Sequence, residues 1–150
     1  MVKVRFRLEK DEDANYPPFE VERIWAEPLG GGLFRIDNSP WYVRGVSWND
    51  IVRAIVNPEG DWDFVEVETY GGHSTIRVIS TNKRAADMES LVEQLKSFGC
   101  TYEGQGAANN IFAFDIPPNV DYCPIRRLLD KGEQAGTWGF EEGCLQHAWE

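Results

Sequence analysis

Apolar positions follow two different periods along this chain. Val2, Val4, Phe6 and Leu8 alternate with Lys3, Arg5, Arg7 and Glu9, which predicts a strand with one buried and one wet face. Residues 11–18 (DEDANYPP) read as a loop by composition. Strands follow over 19–27 and 33–37, and the glycines of the intervening turn permit positive φ. Asn38, Ser39 and Pro40 break the pattern. A fourth strand is predicted over 41–46, with Gly45 marking a bulge or a close backbone approach. Residues 48–56 fit two readings. Asn49 or Asp50 can cap a helical turn, whereas Ile51, Val52, Ile55 and Val56 favour a strand. After a turn at 57–61, residues 62–70 alternate as another strand, and Gly71-Gly72 turns the chain onward. Many strands joined by short turns predict a small curled β-sheet, an SH3-like barrel.

The second half changes period. Residues 74–80 (STIRVIS) are β-branched and short enough for a strand. Met88, Leu91, Val92, Leu95 and Phe98 then recur at helical spacing and predict a helix over 84–98. Asn82 is placed to cap its start, and Gly99 suits the left-handed residue that ends it. Strands are predicted over 101–104 and 110–116. A second helix over 122–131 has Asp121 as its cap and Ile125, Leu128 and Leu129 on one face. A last strand runs over 137–142. The order β-α-β-β-α-β is that of a ferredoxin-like unit, with two helices on one face of a four-stranded antiparallel sheet. The expected fold class is therefore α+β, with a mostly-β lobe over 1–72 packed on a ferredoxin-like lobe over 73–150. No linker rich in Pro, Gly or Ser separates them, so they are expected to form one compact unit.

Composition narrows the function classes. The 150 residues are 42% hydrophobic, with six Trp and eight Phe, enough for a substantial core. No apolar run approaches the roughly 20 residues of a membrane span, and the alternating N-terminus does not resemble a signal peptide. Cys100, Cys123 and Cys144 are odd in number and widely spaced, as in a reduced, cytoplasmic protein. They form no CxxC, and His73 and His147 form no HxH or HExxH, so no metal is expected. Asp11, Glu12 and Asp13 lack the glycine and distal glutamate of a calcium loop. Gly30-Gly31-Gly32 lacks the Gly-Lys-Ser/Thr ending of a phosphate loop. There is no GxSxG elbow, and Cys123, near a predicted helix start, has no histidine beside it in sequence. No cofactor or catalytic constellation is expected.

Charge points to a partner. The formal net charge of −10 repels phosphate backbones and favours basic proteins. Between Arg53 and Arg77 there is no Lys or Arg, and none follows Lys131. Each of these stretches joins carboxylates to aromatics. Asp61, Trp62 and Asp63 in the first, and Glu141 and Glu142 in the second, are the candidate partner-binding residues. Glu141 and Glu142 are adjacent on a predicted strand and so point to opposite faces.

The run through Asp50 that contains ERIWAEPLGGGLFRIDNSPWYVRGVSWND, together with WGFEEG at 138–143, resembles an uncharacterised bacterial family, domain of unknown function 4265. The resemblance implies a bacterial, cytoplasmic, self-contained protein and brings no catalytic residue or cofactor with it. Some small acidic proteins of this kind sit beside secreted toxins as immunity proteins. Two functions are therefore expected to compete. One is a non-enzymatic protein that binds a basic partner, in its sharpest form an immunity protein against a basic toxin domain such as a nuclease. The other is a small-molecule-binding or enzymatic domain with a cleft between the lobes, for which Trp41, Tyr42, Asn109 and Asn110 are candidates.

Overall fold

A computed structural model of the chain describes residues 1–11, 16–82, 84–103 and 111–149. The order is β1 (Val2–Arg7), β2 (Val21–Gly30), β3 (Leu33–Ile36), β4 (Ile51–Val56), β5 (Trp62–Thr69), β6 (Ser74–Ser80), α1 (Ala85–Ser97), β7 (Thr101–Glu103), β8 (Ile111–Ile116), α2 (Cys123–Gln134) and β9 (Trp138–Cys144). The class is α+β. The first five strands close into a barrel, and its inward positions, Val4, Phe6, Ile24, Ala26, Phe34, Ile36, Val52 and Ala54, are all buried. The β2–β3 hairpin turns on Gly31 and Gly32, whose φ values of 65° and 80° match the twist of the flanking strands and favour glycine. Four ladders are antiparallel. The barrel closes where β1 and β5 run parallel, through Val4↔Trp62 and Arg5↔Asp63.

One predicted strand is corrected. Residues 41–46 form a loop, and Tyr42, Val43 and Val46 are buried without the alternation of a strand. Their backbone groups find two charged side chains instead of a ladder. The Glu22 carboxylate accepts from the N–H of Trp41 (2.6 Å), Tyr42 (2.9 Å) and Val43 (2.9 Å). The Arg77 guanidinium donates to the carbonyls of Val43 (3.0 Å), Pro40 (3.1 Å) and Tyr42 (3.3 Å). Buried backbone groups need partners, and here tertiary partners displace β pairing. The ambiguous stretch resolves as β4. Asp50, considered as a helix cap, instead accepts the Ser47 N–H at 2.8 Å within a tight turn.

The remaining strands form a sheet in the order β7-β8-β6-β9, every pair antiparallel. Both helices cover one face. Met88, Leu91, Val92 and Leu95 of α1 and Ile125 and Leu129 of α2 pack with Ile76, Val78, Phe114 and Ile116. Ile111 and Ile79 join the barrel's core from the other face, so β6 is covered on both sides. Phe98, expected in the apolar stripe, is instead the C-cap of α1 and is 40% exposed. Gly99 then takes the left-handed conformation. Asn82, expected as the cap, lies two residues before the N-cap position, which falls on Arg84, and accepts the Arg84 N–H at 2.9 Å. Asp121 accepts the Cys123 N–H at 3.0 Å as α2 begins.

The residues after β9 strap the two sheets together. Gln146 donates to Asp50 (3.0 Å) and accepts the Gly72 N–H (2.6 Å). His147 donates from Nε2 to the Pro117 carbonyl (2.7 Å), so its Nδ1 accepts from Ser74 Oγ (2.6 Å). Trp149 stacks 4.1 Å from the Arg126 guanidinium. Among the described residues, no helix is long and apolar enough to cross a membrane.

Candidate protein-interaction surface

The β4–β5 hairpin holds the first acidic stretch. Its tip is pre-organised by Asn57, whose Oδ1 accepts from the N–H of Glu59 (2.9 Å) and Asp61 (3.0 Å). Alternation then divides the side chains. Val52, Ala54, Trp62, Phe64 and Val67 belong to the barrel's core cluster. Ile55, Val65, Glu66 and Glu68 are exposed, and Ile55 and Val65 reach 60% and 48% exposure. Ile55 stands opposite Asp63, and a register shift beside Val65 places Arg53 opposite Glu66. Arg53 is the nearest cation, 3.3 Å from Glu68 and 3.9 Å from Glu66. Large aliphatic groups thus share an acidic wall on the outside of a closed barrel.

The five candidate residues are not all in one place. Asp61 and Asp63 flank Trp62 on this hairpin, whereas Glu141 and Glu142 lie on β9 in the other sheet. Three of the four carboxylates meet arginines that are remote in sequence. Asp63 binds Arg5 at 2.7 Å. Glu141 binds Arg77 at 2.8 Å and Arg44 at 3.2 Å. Glu142 binds Arg126 at 2.8 Å and accepts from the Tyr122 hydroxyl at 2.7 Å. Glu141 and Glu142 do point to opposite faces of the sheet, one to the barrel and one to α2. Trp62 is half-buried, its ring 4.9 Å from Phe34. Sequence spacing could not anticipate these pairs, because strand neighbours are set by topology.

Two polar pairs have the residue types of catalytic groups. His73 Nδ1 sits 3.0 Å from both oxygens of Asp115. Burial pushes the Asp115 carboxyl up, and the adjacent His73 opposes that rise. Ser74 donates to His147, but Ser74 is fully buried, so no substrate reaches its hydroxyl. Cys100 and Cys144 are buried too. Burial, reinforced by Asp115, pushes the Cys100 thiol up to about 12, which leaves it protonated and a poor nucleophile. Among the described residues, no group of three or more His, Cys, Asp or Glu is placed to hold a metal.

A shallow cleft of about 570 Å³ lies where the barrel meets β9, between Tyr70, Gly72, Glu142, Cys144, Leu145 and Gln146. Trp41 packs on the barrel's core cluster and Tyr42 is buried within it, and neither lines this cleft. Asn109 and Asn110 lie outside the described residues.

The fold occurs elsewhere. The chain is similar to a structure described as "Novel crystal structure of a hypothetical protein from Neisseria gonorrhoeae", with a TM-score of 0.80 and 19% identity over 99% of this chain and 98% of that one. No curated protein matches the sequence. Residues 22–140 match the family described as Domain of unknown function (DUF4265), and the chain belongs to that family.

Proposed function

We propose that this protein is a non-enzymatic binding protein that captures a basic protein partner on the outer wall of the β4–β5 hairpin. The observation that carries this reading is the exposure of Ile55 and Val65, 60% and 48%, among Asp63, Glu66 and Glu68. Exposed aliphatic groups give a partner area to bury, and the surrounding carboxylates select its charge. Asp61 and Glu59 extend the acidic rim at the hairpin tip. In its sharpest form the reading is an immunity protein that neutralises a basic toxin domain, such as a nuclease. Three free cysteines accord with a reducing, cytoplasmic setting. Glu141 and Glu142 then serve to hold arginines.

The strand order β7-β8-β6-β9 and the two helices on one face support a ferredoxin-like reading of the second sheet. The five-stranded barrel with short turns supports an SH3-like reading of the first. On that basis residues 1–72 and 73–150 are two lobes, docked by the hydrogen bonds of Arg77 to the loop of residues 40–43 and of Gln146 to Asp50 and Gly72. The alternative function, a ligand site between lobes, draws its support from the cleft beside Tyr70 and Gln146.

The test is capture from the native host at low and high salt, followed by association kinetics with the recovered partner. Glu66→Gln with Glu68→Gln should slow association, and Ile55→Ala with Val65→Ala should speed dissociation. Unchanged rates in both variants, with no effect of salt, would discard this surface.

A further inference from the structure

An acidic chain of net charge −10 gathers cations on one wall of its barrel. Lys3, Arg5 and Arg7 follow one another along the outside of β1, and Arg23 stands directly opposite Arg5 on β2. Like charges in direct cross-strand register oppose folding. Asp63 neutralises Arg5, but Arg7 and Arg23 are exposed and form no ion pair among the described residues. Lys3 lies 4.7 Å over the ring of Trp25, itself 47% exposed.

Beside this wall the barrel's seam opens. The β1–β5 ladder ends at Arg5↔Asp63, although β1 runs on to Arg7 and β5 to Thr69. Where the strands part, a cavity of about 180 Å³ is lined by Phe6, Arg7, Leu8, Tyr42 and Phe64, among others. A second, of about 170 Å³, shares Arg7 and Phe64 with it.

We propose that the β1–β2 wall and the cavity at the open seam dock a short acidic protein segment carrying one aliphatic side chain. Its carboxylates meet Lys3, Arg7 and Arg23. Its aliphatic group enters the cavity against Phe6, Leu8 and Phe64. Lys3 to Arg7 spans about 13 Å at roughly 3.3 Å per residue, so about four extended residues cover the stripe. The segment must be short. Asp63 pairs with Arg5 across the ladder and Glu9 lines the cavity beside Arg7, so both carboxylates lie within a Debye length of about 8–10 Å of the cations. A long polyphosphate would run past the cations into these carboxylates, so a peptide fits and a nucleic acid does not. This surface is distinct from the acidic wall of β4–β5 and takes a partner of the opposite charge.

The experiment is fluorescence anisotropy of the full chain with a labelled peptide carrying Glu-Val-Glu-Leu between glycines. An oligothymidylate of equal charge is the rival probe. The peptide should bind more tightly than the oligonucleotide and weaken as salt rises. Arg7→Glu with Arg23→Glu should weaken it about tenfold or more. Arg127→Glu with Lys131→Glu makes the same change in net charge on α2 and should leave affinity within about twofold. The Arg7→Glu, Arg23→Glu variant should still unfold in a single cooperative transition, which separates docking from a structural role. The proposal is overturned if the peptide does not bind, if the oligonucleotide binds at least as well, or if the α2 pair weakens binding as much as the β1–β2 pair.

Discussion

Arg77 on β6 passes directly over Gly143 on β9, so closely that a Cβ at residue 143 would lie 2.5 Å from Nη2 and 2.6 Å from Cζ. The absence of a side chain on β9 is what lets a fully buried guanidinium reach the loop of residues 40–43 and Glu141. The ladder shifts register at this end, which gives the guanidinium its passage. Gly143→Ala should therefore displace Arg77 and loosen its bonds to Pro40, Tyr42 and Val43. The expected loss is about 1–3 kcal/mol from overpacking alone, read from urea denaturation. A wild-type midpoint in this variant would mean that the two strands can separate freely here.

Glu22 works on the same loop from the opposite side. Its carboxylate is the acceptor for three backbone N–H groups, and it is 9% exposed. Glu22→Gln replaces one acceptor oxygen by an amide donor, which would face a backbone N–H. Hydrogen bonds to a charged group contribute about 1.5–3 kcal/mol each, and the variant should lose stability in that range. Hydrogen exchange gives a local check, because the amides of Trp41, Tyr42 and Val43 should lose protection before those of β6.

These two residues also explain how far the fold is legible in the sequence. Alternation in Val2–Arg7 and helical spacing from Met88 to Leu95 reflect burial on one face of a local element, and burial of that kind leaves a period. The element order of the second sheet follows from those periods. Residues 41–46 carry strand-forming side chains and form a loop, because Glu22 and Arg77 satisfy their backbone from afar. No local pattern records a partner that is 19 or 37 residues away. The acidic surface is half legible for the same reason. Runs without Lys or Arg identify the β4–β5 hairpin and β9, but the arginines that pair Asp63, Glu141 and Glu142 arrive through sheet topology. The exposure of Ile55 and Val65 is hidden as well, since a strand former reads alike whether it faces in or out.

The cysteines should divide into one reactive and two protected thiols. Cys123 is half-exposed, whereas Cys100 and Cys144 are buried. Burial raises the pKa of both buried thiols, and the thiolate is the reactive form. In the folded protein at neutral pH, one thiol equivalent should react promptly with an aromatic disulfide reagent. The other two should react only at the rate of unfolding. Cys123→Ser should abolish the prompt phase, and three prompt equivalents in the wild type would contradict this burial.

Asp63 is the carboxylate whose pairing bears on both proposed surfaces, since it separates the acidic wall of β5 from the cations of β1. Its hydrogen bond from Arg5 holds it below the ordinary carboxylate value, with a further contribution from Asn57 and some opposition from desolvation. A carboxylate with a depressed folded pKa favours folding fully above its unfolded value of about 3.9. That contribution fades as pH falls through the lower folded value. Asp63→Asn should thus be less stable than the wild type at neutral pH, and the two should converge as acid protonates the wild-type group. Both partners are partly exposed, so added salt should narrow the neutral-pH difference by screening. The variant also releases Arg5, which should tighten the acidic peptide on the β1–β2 wall while slowing association of a basic partner on β4–β5. Parallel urea titrations across the acid range and the two binding assays read all of these effects. Equal stability curves at every pH, with both affinities unchanged, would remove Asp63 from any role in the charge boundary of this barrel.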